Sequence, residues 1–158
     1  GVSIYEIDEA FACIESSKVS IMQAPYSVFD HRMKNNNIFS IAKTKGMEVD
    51  TRSAFLQGLI LKNREMVPTS MKNTKDLLAR FSVICNKYQI DPVVLALSYV
   101  KREKEISRLV FGIHSIEQLQ QDILAFCVDV PYEILNEIDK EFQGVSRKVI
   151  IPSLWGDK

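Results

Sequence analysis

Short apolar runs alternate with amphipathic stretches along this chain, and that alternation constrains its fold more than any other feature. Val19 to Ala24 stops at Pro25, Met47 to Thr51 stops at a turn, and Arg108 to Phe111 stops at Gly112. Each run has the length of a buried strand, and Gly1-Val-Ser3 reads as the end of another. Between them Ile7, Ala10, Phe11 and Ile14 recur at helical spacing over Ile7 to Glu15. Ile38, Ile41 and Ala42 mark a second helix, with Gly46 placed as its left-handed terminator. After a polar excursion from Lys62 to Asn73, Thr74 is placed to cap a helix striped by Leu77, Phe81, Ile84, Cys85 and Tyr88. Asp91-Pro92 opens another, with Leu95, Ala96, Tyr99 and Val100 on its apolar face. Ser115-Ile-Glu-Gln118 is a capping box for a helix through Leu119, Ile123 and Phe126. Pro131 opens the last helix, with Ile134, Leu135, Ile138 and Phe142, followed by an apolar tail.

Strand, then helix, repeated, predicts an α/β fold with a parallel sheet. The pattern leaves two architectures open, a doubly wound sheet and part of a (β/α)8 barrel. In both, ligands gather at the carboxyl ends of the strands. Ser3, Gln23, Arg52, Ser53 and the run Gly112 to His114 fall there.

Length and composition fit one soluble domain over residues 1–158, with a terminal helix and tail over 131–158: the chain is 46% hydrophobic and 25% charged. Lys+Arg and Asp+Glu balance at 20 each, so nothing calls for nucleic acid or an acidic membrane surface. No apolar run approaches membrane-spanning length, and no signal peptide is visible. Cys13, Cys85 and Cys127 sit far apart among apolar residues, which predicts reduced core thiols and a cytoplasmic location. His31, in the polar stretch Asp30-His-Arg32, reads as a solvated loop residue, because no further metal ligands stand at workable spacing.

The polar residues at the strand ends have both plain and functional readings. Gln23 ends an apolar run; a buried amide must be hydrogen-bonded, and either loop carbonyls or a ligand's primary amide would satisfy it. Arg52 is a lone cation after a buried strand, suited to a surface ion pair or to stacking on a π system. Gly58 lets a bound group approach the backbone closely, whereas Phe55 and Leu56 suit the core. Gly112-Ile-His-Ser115 leads into a helix N-terminus. There unpaired amides and the dipole favour phosphate, and a capping box explains the same residues equally well.

Taken together, Gly1-Val-Ser-Ile-Tyr5, Ile21-Met-Gln-Ala-Pro-Tyr26 and Arg52-Ser-Ala-Phe-Leu-Gln-Gly58 resemble the second half of an aldo/keto reductase. In that family these segments are the carboxyl ends of consecutive barrel strands. The resemblance implies a half-barrel, from the end of the fifth strand onward, that holds NADP or NAD. Ser3 and Gln23 would bind the nicotinamide carboxamide and Arg52 would stack on its ring. Ser53, Gln57 and Gly58 would cover the pyrophosphate. Gly112, His114, Ser115 and Gln118 would lie at the adenosine 2′-phosphate, with Gln121 and Asp122 at the adenine. Ile4 stands where many members carry Asn, which removes one amide contact. Family members selective for the phosphate commonly carry Lys and Arg where Gly112 and Gln118 stand, so NAD is expected to be usable.

The family's catalytic Tyr, Asp, Lys and His lie on strands before the resembling part, so no catalytic residue is assigned here. The implied parent is an NAD(P)H-dependent oxidoreductase acting on a small carbonyl substrate, with the chain as given inactive alone. Gly1 in place of Met, on a strand end, predicts a truncation. An opened barrel predicts an exposed apolar interior and self-association, or pairing with a missing N-terminal half. The alternatives are a non-catalytic dinucleotide-binding or regulatory module and a doubly wound interaction domain.

Overall fold

The computed structural model describes residues 1–16, 18–67 and 72–155. Four strands, β1 (Val2–Ser3), β2 (Ile21–Pro25), β3 (Glu48–Arg52) and β4 (Arg108–Leu109), form one sheet in the order β1-β2-β3-β4. Every neighbouring pair is parallel. A doubly wound sheet reverses its strand order at a switch point. Here each strand lies beside the next in sequence, as in a singly wound barrel, and the doubly wound alternative is set aside.

Helix α1 (Ile7–Glu15) follows β1, and a reciprocal capping box between Glu6 and Glu9 fixes its start. After β2 the chain forms a short helix α2 (Arg32–Asn35) that four residues are too few to announce by periodicity, and then α3 (Ile38–Thr44). Gly46, at φ 74°, ends α3 as expected: its amide bonds the Lys43 carbonyl at 3.0 Å, and that of Met47 bonds Ala42 at 2.9 Å. Helices α4 (Lys72–Tyr88) and α5 (Pro92–Lys101) come between β3 and β4. Thr74 is buried inside the first turn of α4, not at its cap. Asp91 caps α5, its carboxylate accepting the Val93 amide at 2.7 Å. Helices α6 (Ile116–Cys127), α7 (Tyr132–Glu141) and α8 (Arg147–Ile150) follow β4. Among the described residues no helix is long and apolar enough to cross a membrane.

Strand side chains alternate between the faces of the sheet. Met22, Ala24, Val49 and Thr51 are fully buried toward the helices. There they join Tyr26, Phe29, Met33, Phe39, Phe81, Leu95, Tyr99 and Phe142 in one core. The opposite face overturns the expectation of an apolar interior. Registered across the four strands are Ser3, Gln23, Asp50 and Arg108. Arg108 pairs with Asp50 at 3.0 Å and with Glu48 at 2.7 Å. That layer is polar and partly self-neutralised, so water is an adequate solvent for it. Exposed apolar side chains lie at the two sides of the sheet instead. Val2, Tyr5 and Phe11 are exposed near β1; Val110, Ile113, Ile116, Ile123 and Phe126 are exposed on and beyond β4.

Other expectations also change. His31 is buried, not solvated: its ring stacks on Tyr99 (centroids 5.1 Å apart), and Nε2–H donates to the Val28 carbonyl at 2.9 Å. It lies beside a polar network between α2, α5 and α7. In that network the Tyr99 hydroxyl donates to Asp139 at 2.7 Å, Lys34 reaches Asp139 and Glu103, and Arg102 pairs with both carboxylates. Of the cysteines only Cys85 is a core thiol; Cys13 is half-buried and Cys127 is exposed.

Candidate functional site

The carboxyl ends of β1, β2 and β3 bring together residues far apart in sequence. Because Ser3 is registered with Gln23, their side chains face the same way, and the Ser3 hydroxyl donates to Gln23 Oε1 at 3.2 Å. Arg52, at the end of β3, reaches over them. Its Nη2 donates to the Ile4 carbonyl at 2.9 Å, its Nε to the Ser3 hydroxyl at 3.4 Å, and its Nη1 to the Ser53 hydroxyl at 3.2 Å. The guanidinium lies over the Tyr5 ring, 4.0 Å from its centroid. Among the described residues none of its contacts is a carboxylate, so no ion pair there neutralises its charge.

Beyond Arg52 the backbone turns through a run of left-handed conformations: Ser53 (φ 68°), Leu56 (48°), Gln57 (54°) and Gly58 (78°). Such conformations are uncommon for residues other than glycine and cluster at ligand clamps. Burial of Ala54, Phe55 and Leu56 anchors the turn, and the Leu56 amide bonds the Ser53 carbonyl at 2.9 Å. The amides of Gln57 and Gly58 have no protein acceptor among the described residues.

This turn forms one wall of a cleft of about 510 Å³. Arg52, Ser53, Gln57 and Gly58 line one side; Gly112, His114 and Gln118 line the other, with Phe55 and Phe111 between them. At Gly112 a side-chain carbon would meet nothing within 4 Å, so the cleft floor there is open. Ser115 caps α6, its hydroxyl accepting the Gln118 amide at 3.1 Å, while Gln118 Oε1 accepts the His114 amide at 2.9 Å. The helix start is therefore partly satisfied from within. Glu117 also sits in this first turn, its carboxyl held below the usual range by its own amide and the Ser115 hydroxyl.

Gln121 and Asp122 lie one turn further along α6 and open onto a second cavity of about 380 Å³ against Asp91, Val93 and Val94 of the α5 start. Asp122 is buried, its Oδ2 has no partner among the described residues, and burial pushes its carboxyl up. The sequence-expected residues thus fall into three groups: Ser3, Gln23, Arg52 and Ser53 bonded together; Gln57, Gly58, Gly112, His114 and Gln118 around the cleft, with Ser115 capping the helix beside it; and Gln121 with Asp122 on a separate cavity. Tyr5, Phe111 and Glu117 join the site without a role expected for them from the sequence. The Tyr5 signal was its place two residues after Ser3. Glu117 was concealed by its membership of a capping box. Among the described residues no group of His, Cys, Asp and Glu is arranged to hold a metal ion.

A sequence model described as the aldo/keto reductase family matches residues 1–141. The chain is 22% identical, over 144 residues, to the NADH-specific methylglyoxal reductase of Escherichia coli (strain K12), covering 82% of this chain and 44% of that protein. Among solved structures it resembles the holo form of aldo-keto reductase AKR11C1 from Bacillus halodurans, with a TM-score of 0.68 at 18% identity over 94% of this chain and 52% of that one. It also resembles the glycerol dehydrogenase AKR11B4 from Gluconobacter oxydans, with a TM-score of 0.67 at 16% identity over 96% of this chain and 51% of that one. The chain spans about half the length of these relatives.

Proposed function

The chain belongs to the aldo/keto reductase family, and we propose that it is the dinucleotide-binding half of an NADH-using carbonyl oxidoreductase. One observation carries this reading: the bonded cluster of Ser3, Gln23 and Arg52 is continuous, through Ser53, with the cleft walled by Gln57, Gly58, Gly112 and Gln118. Three features suit a dinucleotide. Gln23 retains its amide donors for a carboxamide, since its Oε1 is the acceptor from Ser3. The unpaired Gln57 and Gly58 amides suit pyrophosphate oxygens. The buried, unpartnered Oδ2 of Asp122 suits the exocyclic amine of adenine.

A reduced nicotinamide held there would supply the hydride for carbonyl reduction. The residues of this chain bind and orient. Ser3 and Gln23 fix the plane of the amide, Arg52 covers the ring with a planar cation, and the left-handed turn from Ser53 to Gly58 holds the linking phosphates. This chain's part is binding, the proton that completes carbonyl reduction coming from elsewhere in the complete enzyme, whose substrate is a small aldehyde or ketone. A cytoplasmic location and pairing with a complementary half belong to the same reading.

NADH fluorescence titration tests it. The chain is expected to bind NADH saturably while giving no aldehyde-dependent NADH oxidation above background. General-acid assistance alone is worth roughly 10²–10⁴-fold. Absence of saturable binding to folded chain sinks the binding assignment. Turnover by the chain alone sinks the claim that the proton donor lies elsewhere. A complete protein that binds NADH and turns over no carbonyl would favour the non-catalytic module.

A further inference from the structure

We propose that Arg52 makes the site select the reduced dinucleotide over the oxidised one. The inference rests on the reading that Arg52 covers the nicotinamide ring, and it adds a consequence of charge. The oxidised ring is positively charged and the reduced ring is neutral. A fixed cation in contact with the ring therefore tells the two apart.

The side chain is held as a fixed plate. Each of its three nitrogens donates along an edge of the guanidinium, to the Ser3 hydroxyl, the Ser53 hydroxyl and the Ile4 carbonyl. Its two faces remain, and the Tyr5 ring takes one of them. Among the described residues no second ring stacks on the other face, so that face is left for a flat ligand. Tyr5 is no core residue: its ring is 43% exposed, and its amide is anchored by Glu9 at the start of α1, 2.8 Å away. An exposed ring tied to the backbone in this way backs the cation without burying it.

Its charge is also uncompensated, which sets it apart in this molecule. Every other arginine of the chain pairs with a carboxylate; among the described residues Arg52 is the exception. Carboxylates on the neighbouring segments are engaged elsewhere. Asp50, two residues earlier on β3, is held by Arg108 at 3.0 Å, and Glu9 accepts the amides of Tyr5 and Glu6. The acceptors that Arg52 does have, two hydroxyls and a carbonyl, orient it and carry no formal charge. Like charges in contact repel by about fivefold in binding even where water screens them fully, and by more where water is expelled. The pyrophosphate is the same in both forms, so the amides of Gln57 and Gly58 do not discriminate. The site would fill with the reduced form from a mixture and release the dinucleotide more readily once its ring is oxidised.

The test is isothermal titration calorimetry of the chain with NADH and with oxidised NAD, read as the ratio of the two dissociation constants. At low salt NADH should bind about fivefold tighter or more. Arg52→Gln keeps a planar polar group and removes the charge, so the ratio should fall to near one. A loss of fold or of general affinity would weaken both forms alike and leave the ratio in place. Raising the salt concentration should shrink the ratio in the unmodified chain and not in the Gln variant, because only the former has the repulsion to screen. The urea midpoint checks that both proteins are folded. A ratio of one in the unmodified chain, a ratio that salt does not move, or a ratio that Arg52→Gln leaves unchanged overturns the proposal and leaves the dinucleotide site standing. Failure of the folded chain to bind either form removes the site itself, and the proposal with it.

Discussion

The Arg52 guanidinium lies 4.0 Å from the centroid of the Tyr5 ring, and in that position it also donates to the carbonyl of Ile4. The ring and the carbonyl hold the cation from beneath and from one edge. Its plane is thereby set over the ends of β1 and β2, where Ser3 and Gln23 meet.

Arg52→Ala should weaken NADH binding severalfold, since a cation stacked on a ring contributes about 0.5–2 kcal/mol and 1.4 kcal/mol is tenfold. Arg52→Lys should not restore it, because an ammonium lacks the planar fork that spans Tyr5, Ile4 and Ser53. The readout is the NADH dissociation constant, with the urea midpoint as a control for folding. A Lys variant that binds like the parent would show that Arg52 acts as a point charge only.

Asp139→Ala should destabilise the fold by about 3 kcal/mol, since removing one partner of a buried pair strands the other. Here Arg102 and Lys34 would be left sharing Glu103 alone, and the Tyr99 hydroxyl would lose its acceptor. Tyr99→Phe keeps the ring stack on His31 and should cost about 1 kcal/mol. Urea denaturation measures both, and equal losses would mean that the pairing with Arg102 contributes nothing.

None of this network was legible in the sequence, whereas most of the frame was. Short apolar runs and helical spacings located each strand and the longer helices because they are local signals. Asp91, Ser115 and Gly46 marked ends correctly because caps are chosen by the nearest few residues. Lys34 and Asp139 stand 105 residues apart, and nothing local couples them. The same limit explains His31. Its polar neighbours Asp30 and Arg32 pair with each other, which leaves the ring free to enter the core beside Tyr99. The polarity of the open sheet face was legible in principle. Glu48, Asp50 and Arg108 are printed in the chain, but their common facing needed the register of β3 against β4. At the candidate site, the left-handed run at Ser53, Leu56 and Gln57 was hidden because only Gly58 advertises such geometry.

Stability should fall as pH drops through the range just below 6.5. Burial lowers the pKa of His31 from its ordinary value near 6.5, with the Val28 carbonyl opposing that shift. The unfolded chain therefore takes up the proton first. Between the folded and unfolded pKa values the unfolded state binds more protons, so stability rises with pH and levels off above about 6.5. Asp139 acts in the same direction at lower pH. Its carboxyl is held below the ordinary value by Arg102, Tyr99 and Lys34 against the effect of burial, so its contribution is present above about pH 4 and fades below. His31→Phe keeps an aromatic ring against Tyr99 and should flatten the pH 5–7 slope while lowering stability overall. An unchanged slope would clear His31 of the effect.

The chain should self-associate through the sides of its sheet, not through its open face. Val2, Tyr5 and Phe11 on one side, and Val110, Ile116 and Ile123 on the other, leave apolar surface beside strand edges. Two four-stranded sheets joined edge to edge would supply the eight strands of a closed barrel. Light scattering should report a dimer whose dissociation Ile116→Lys and Ile123→Lys promote, with little sensitivity to Asp50→Asn. A folded monomer at all concentrations, or a dimer that Asp50→Asn disrupts, would place the contact elsewhere or remove it.

The final expectation concerns which dinucleotide is taken. A 2′-phosphate at the start of α6 would look for cations and free amides. Gly112 offers no side chain, Gln118 is engaged with the His114 amide, and the Glu117 carboxylate shares that first turn. Charge-assisted bonds to phosphate are about twice as strong as neutral ones, and here the nearest formal charge within the turn repels. NADH should therefore bind at least as tightly as NADPH. Gln118→Arg frees the His114 amide and adds a cation, and Glu117→Gln removes the repulsion. Each should shift the ratio of dissociation constants toward NADPH, with the double variant shifting it further. Raising the salt concentration should shrink the effect of both, because the groups are exposed. If the unmodified protein already prefers NADPH, or if neither substitution moves the ratio, the 2′ position lies away from the start of α6.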